Sequence, residues 1–295
     1  MPNKKRSRPG DPFPVMENMT VKMIRDYLKR KQSIIVPLGV IEQHGYHLPL
    51  KTDALIASEI GRRIGERTGI LVAPVIYQSF SGGGCPGTIN ISPAVMSLVV
   101  SDTLLSLASQ GFRNFYLFLS HGGSENTRAL DSALKLLLRN NPAFADAMIA
   151  LLPIWTFPIG EPGWGKALSE GDWHSGWLET SIVMHLAPEL VRMDELALDR
   201  KPILQSMIEH PDNYQHAEKI VDDPYVVPRI TQRPEVKVGV MGFPRQASPQ
   251  RGRKIVADTV EAASKKIRQI ESKADGVYKE VAFTPEPIVL KQLEQ

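Results

Sequence analysis

Short apolar runs of strand length, each breaking into a polar turn and then a stretch of helical spacing, constrain this chain most. Ser33-Ile-Ile-Val-Pro-Leu38 reads as a short buried strand that Gly39 lets the chain leave. Phe115-Tyr-Leu-Phe-Leu119 passes into Ser120-His121-Gly122-Gly123-Ser124-Glu125-Asn126, and Ala147-Met-Ile-Ala-Leu-Leu-Pro153 reads as a later strand. Helical patterns are expected near residues 21–30, after Asp53, near 94–110, from about Thr127 and near 251–272, with one more strand near 70–74. Strands alternating with helices of this length give an α/β fold whose mostly parallel sheet carries helices on both faces. Residues 196–236 are polar, carry Pro202, Pro211, Pro224, Pro228 and Pro234, and show no sustained period, so they read as an irregular surface excursion. There is no internal repeat.

The polar residues fall where such a sheet binds ligands, beyond the carboxyl ends of its strands. Glu42 and His44 are two apart, so in an extended stretch both side chains point the same way and can converge on one cation or on two adjacent ones. His47 completes the local cluster, and Asp53 opens the next helical pattern, as a helix N-cap or as a further ligand. Mixed carboxylate and imidazole donors suit Zn, Mn or Fe better than Ca, and one carboxylate can bridge two ions about 3.5–4 Å apart. His121 and Glu125 lie at the second strand-to-helix turn. A third cluster, Asp172-Trp173-His174-Ser175-Gly176-Trp177-Leu178-Glu179, enters another helix. There His174 serves as a proton shuttle with Glu179 as ligand or orienting group, or the stretch is a capped helix start with a packed histidine.

Taken in order, Glu42-Gln-His-Gly with Leu48-Pro-Leu and Thr52-Asp53, then His121-Gly-Gly, then His174 with Glu179-Thr-Ser, resemble the signature of the creatininase (creatinine amidohydrolase) family. Pro86-Gly-Thr88, Ala187-Pro188 and Gly239-Val-Met-Gly-Phe-Pro-Arg245 extend the likeness, which covers residues 19–271. The resemblance implies a three-layer α/β/α sandwich with a mostly parallel central sheet. It also implies a pair of divalent ions (Zn, Mn or Fe) holding a hydroxide. Glu42 and His121 would hold one ion, His44 the other, with Asp53 between them and His174 as the catalytic histidine. The resemblance places the last carboxylate at Glu179, with Glu125 as rival, because this chain has Gly123 where creatininase has a glutamate. Ser81, in Ser81-Gly-Gly-Gly84, Gly122, Trp155 and Trp173 are the expected substrate contacts. The four tryptophans, Trp155, Trp164, Trp173 and Trp177, lie close together around the third cluster and form either a flat slot for a small cyclic substrate or packing.

The implied activity is hydrolysis of a cyclic amide C–N bond in a small polar molecule. The alternative is hydrolytic C–C opening of a cyclic polyol ketone, the 3-dehydro-scyllo-inosose hydrolase type, and a further one is a noncatalytic metabolite binder on the same fold. Family members tend to form hexamers, so a homo-oligomer is expected.

Composition sets limits. A chain of 295 residues, 42% of them apolar, forms one sizeable core, read as a single domain over 19–275 between a flexible basic tail, 1–18, and a C-terminal tail, 276–295, whose apolar patches suit docking on another chain. The lone Cys85 suits a reducing compartment, and no apolar run approaches the ~20 residues that cross a bilayer, so the expected location is the cytoplasm, with no membrane partner. The net charge of +3 is modest and much of the excess sits in the first ten residues. No RNA or DNA motif accompanies it, and no nucleic-acid partner is expected.

Overall fold

The computed structural model describes residues 15–157 and 160–274. Its centre is a parallel sheet of β1 (Ser33–Leu38), β2 (Leu71–Val72), β3 (Asn114–Leu119) and β4 (Met148–Pro153), in the order β2-β1-β3-β4. Ser33 to Leu38 align residue for residue with Asn114 to Leu119, so the two strands end level and deliver their following turns side by side. All six residues of each strand are buried, as expected of parallel strands covered on both faces.

Strand alternation divides the core in two. Ile35, Tyr116 and Phe118 face one layer, formed by α2 (Thr52–Thr68), α6 (Trp177–Leu186) and α8 (Pro249–Ala274). Ile34, Val36, Leu38, Phe115, Leu117 and Leu119 face the other, built on α1 (Val21–Leu28), α3 (Pro93–Ser109) and α4 (Ser124–Asn140). The result is the expected α/β/α sandwich. Helix boundaries follow local chemistry: Ser92 accepts the Val95 N–H ahead of Pro93 at the start of α3, and α2 stops at Gly69 in the left-handed conformation.

Three sequence expectations are revised. Residues 15–18 belong to the fold rather than to a tail, because Val15 forms a parallel bridge with Val72 and Met16–Asn18 make a 3-10 turn. Helix α4 begins at Ser124, so Asn126 lies inside it, where its side-chain amide donates to Ser79 and Phe80. The proline-rich stretch is not irregular throughout. It holds α7 (Lys201–Glu209), with Pro202 tolerated in the first turn, and an antiparallel hairpin of β5 (Gln215–Glu218) and β6 (Arg229–Gln232). A short helix, α5 (Trp164–Ser169), precedes the third polar cluster. The basic residues 1–14 and the expected C-terminal tail, 276–295, lie outside the described residues.

Candidate metal centre

Close packing brings the first candidate donors together. After β1 the chain passes Gly39, where an added Cβ would fall 2.5 Å from the Ala54 backbone, so only glycine lets the strand end meet the first turn of α2. The loop then closes on itself through Glu42 N–H to the Leu50 carbonyl (2.9 Å), and Thr88 Oγ1 accepts the Gln43 N–H (3.0 Å). Asp53 is the second residue of α2, not its N-cap, and a carboxylate there is favoured by the helix dipole. Ser120, at the end of β3, donates its hydroxyl to the Asp53 carbonyl (2.6 Å), which sets His121 beside the carboxylate.

The donors fall into two triads that share Asp53. Glu42, Asp53 and His121 form one, and His44, Asp53 and Glu179 the other, the donor atoms of each lying within 4.8 Å of one another. His121 Nδ1 stands 3.1 Å from Glu42 Oε2 and 3.3 Å from Asp53 Oδ2, and His44 Nε2 is 3.8 Å from Asp53 Oδ1 and 3.7 Å from Glu179 Oε2. Glu42 Oε2, Asp53 Oδ2 and His44 Nε2 are buried, yet none has a hydrogen-bond partner of good geometry. Buried polar atoms gathered round common centres without aligned bonds are what a cation site leaves, and the donor types fit a divalent transition metal. His44 Nδ1 lies 3.0 Å from the Glu42 carbonyl, which holds its proton there and turns the Nε2 lone pair inward.

The electrostatics agree. Burial pushes Glu179 up to about 7, and Asp53 and Glu42 add to this against the pull of His44. Burial would also raise Glu42, but His121 and His174 overcome it and hold that carboxyl well below the usual range. His44 and His121 are raised despite burial, chiefly by Asp53 for the first and Glu42 for the second. Three buried carboxylates draw positive charge, as protons or as metal, and divalent cations displace the protons.

His174 stands over the triads, its ring 4.3 Å from that of His44. Its Nε2 lies 2.8 Å from the Gln43 carbonyl, so the group holding it is Gln43, which sequence reasoning passed over although it sits between two expected ligands. Glu179 turns away, toward His44, and accepts the Ser175 N–H (2.6 Å). An antiparallel bridge between His174 and Met241 ties this segment to the late glycine-rich loop.

Asp172 organises the same corner. Its carboxylate accepts the N–H groups of Trp177 (2.9 Å) and Leu178 (3.0 Å) at the start of α6, and of Phe243 (2.8 Å) in the late loop. A Cβ on Gly176 would come 1.8 Å from Asp172 Oδ1, and one on Gly242 2.3 Å, so both glycines make room for it. The capped helix start and the polar site are therefore one structure. Asp172→Ala strands two buried donors and one part-buried one, and an expected loss of about 3 kcal/mol should lower Tm by roughly 6–12 °C in thermal denaturation. An unchanged Tm would contradict this.

A cavity of about 300 Å³ opens over the triads. Trp155, Trp164 and Trp173 form part of its wall with Gly122, while Tyr214 and Gln232 reach it from the stretch that carries no motif. Trp177 is buried instead, with the Arg251 guanidinium 5.2 Å above its ring. Glu125 lines the cavity but belongs to neither triad. Ser81 lies behind Glu42, to whose Oε1 it donates (2.6 Å).

Fold and site together define a metal-dependent hydrolase built on a parallel α/β/α sandwich. The chain belongs to the creatininase family, whose profile, that of creatinine amidohydrolase, matches residues 17–267. It is 31% identical to creatinine amidohydrolase of Pseudomonas putida over 189 residues, 57% of this chain and 69% of that protein. It is 29% identical to the mycofactocin precursor peptide peptidase of Mycobacterium ulcerans (strain Agy99) over 257 residues, 83% of this chain and 88% of that one. Among solved structures, a manganese creatininase superposes with a TM-score of 0.67 over 87% of this chain and 98% of its own, at 24% identity, a likeness of fold.

Proposed function

We propose that the chain hydrolyses the C–N bond of an amide in a small polar cyclic substrate, using two divalent ions, Zn, Mn or Fe. The observation that carries this reading is the pair of donor triads sharing Asp53 beneath His174 at the floor of the cavity. Glu42, Asp53 and His121 would hold one ion, and His44, Asp53 and Glu179 the other. Such a pair supplies a water-derived nucleophile near neutral pH and a Lewis acid for the carbonyl under attack.

The chain's own groups do the rest. Burial, with His44 beside it, pushes His174 down to about 4, so the imidazole is neutral at neutral pH. Its Nε2 lies 2.8 Å from the Gln43 main-chain carbonyl and 3.1 Å from the Gln43 side-chain nitrogen; with the proton on Nε2, Nδ1 would be left to accept the proton of the attacking water and return it to the leaving nitrogen. Ser81 steadies Glu42 from behind. Trp155 and Trp173 offer flat faces that orient a planar ring and shield it from water. The cavity volume suits a small substrate.

A second reading is favoured by coverage: the likeness to the peptide peptidase spans more of the chain than that to creatinine amidohydrolase. A linear peptide amide would use the same groups. The test is a screen of Mn- and Zn-loaded protein against creatinine, other cyclic amides, short peptides and keto-inositols, with products read as the gain of one water by mass spectrometry. Opening of a cyclic amide supports the first reading, and cleavage of peptides alone moves the chain to the second. Opening of a keto-inositol alone makes it a C–C hydrolase, and no turnover of any of them leaves a metabolite binder. A homo-oligomer accords with the exposed apolar side chains of Ile220, Tyr225 and Val227 between the hairpin strands, and light scattering would read its mass.

A further inference from the structure

We propose that His47 is a positioning residue for the second metal centre, acting on Glu179 through Thr180 and the Ser175 turn. The inference rests on the two-ion reading above. His47 is fully buried, belongs to neither triad and does not line the cavity. Its Nε2 lies 3.0 Å from Thr180 Oγ1, and Thr180 Oγ1 lies 3.4 Å from the Ser175 carbonyl. Ser175 is the only non-glycine among the described residues with a positive φ, at 55°, a conformation that costs energy for any residue with a Cβ. That twist aims the Ser175 N–H at Glu179 Oε2, 2.6 Å away, the oxygen that faces His44 Nε2.

Counting protons gives the chain a direction. Thr180 has one hydroxyl proton, and giving it to the Ser175 carbonyl leaves its oxygen to accept from His47 Nε2–H. The imidazole is then a neutral donor, in keeping with burial pushing it down to about 4. Its own backbone is anchored, since the His47 carbonyl accepts the Arg192 N–H (2.9 Å). Without this support Ser175 relaxes to an ordinary φ, its N–H swings off Glu179, and that carboxylate loses its aim. Glu42, Asp53 and His121 are held by other contacts and keep theirs.

The test counts metal. Wild-type protein is loaded with zinc, desalted and compared with His47→Ala, Thr180→Val and His47→Gln, by elemental mass spectrometry and by calorimetric titration. The expected result is two ions per chain in the wild type. His47→Ala and Thr180→Val should keep one tightly held ion and weaken the other by about 10–100-fold, the usual effect of losing a ligand's supporting hydrogen bond. His47→Gln, which places an amide N–H near the same point, should recover most of the second ion. Equal affinity for two ions in the wild type and both disabling variants overturns the inference alone. So does parallel loss of both ions from folded Thr180→Val, which keeps the shape of threonine and decides the matter if His47→Ala does not fold. A wild type that holds a single ion overturns the two-ion reading, and the inference with it.

Discussion

Asp53→Ala should empty both centres and lower kcat/KM by at least ~10³-fold. The side chain is the member common to both triads, so its loss leaves each with two donors. A pair of catalytic ions contributes several kcal/mol to the transition state, and about 4 kcal/mol is a thousandfold in rate. In the metal-free protein the fold should lose little: removing a buried carboxylate from the first turn of α2 forfeits on the order of 1–2 kcal/mol of helix-dipole interaction, and any further fall in Tm of the loaded protein reports the lost metal. Metal content, kcat/KM and Tm measured on one preparation separate these effects. Near-normal turnover would end the two-ion reading.

The second large effect is expected at His174. His174→Ala should keep both ions and slow turnover by about 10² to 10⁴, the usual worth of a general acid or base. The geometry makes this a sharp test, because Glu42, His44 and His174 also lie within 4.8 Å of one another and can by distance alone surround an ion. If the variant loses metal in step with activity, His174 is a ligand and the proton shuttle must be sought elsewhere. Partial rescue by added imidazole, with metal content unchanged, would support the shuttle.

Sheet, layers and the positions of Glu42, His44, Asp53 and His121 were legible because each rests on local chemistry: an apolar run long enough for one strand, a glycine at its end and polar residues just beyond. The carboxylate grouped with His44, Glu179, was legible only through the family resemblance, which left Glu125 as its rival. Glu125 and Glu179 both follow a histidine by a few residues at a helix entry, and only the packing of α6 against α2 and α8 shows which of them reaches the cluster. Ser81 was expected as a substrate contact from the family resemblance alone, and its hydroxyl is spent on Glu42. The hairpin was invisible because its strands are four residues long and two of the prolines fall in the connection between them. Tyr214 and Gln232 therefore reach the cavity with no signal at all. Asp172 was half read: the cap was visible in the sequence, but its bond to Phe243 joins residues that only the tertiary fold brings together.

Gly252 of α8 lies so close to α6 that a Cβ there would come 1.8 Å from the Ser181 carbonyl. Glu179 sits two residues before that contact, so the depth at which it stands is set by a helix near the far end of the described chain. The first triad draws its donors from residues 42–121, whereas the second needs Glu179, whose helix packs against α8. The two halves of the site thus differ in reach: one is built within the first half of the chain, and the other joins the loop after β1 to a helix held by α8.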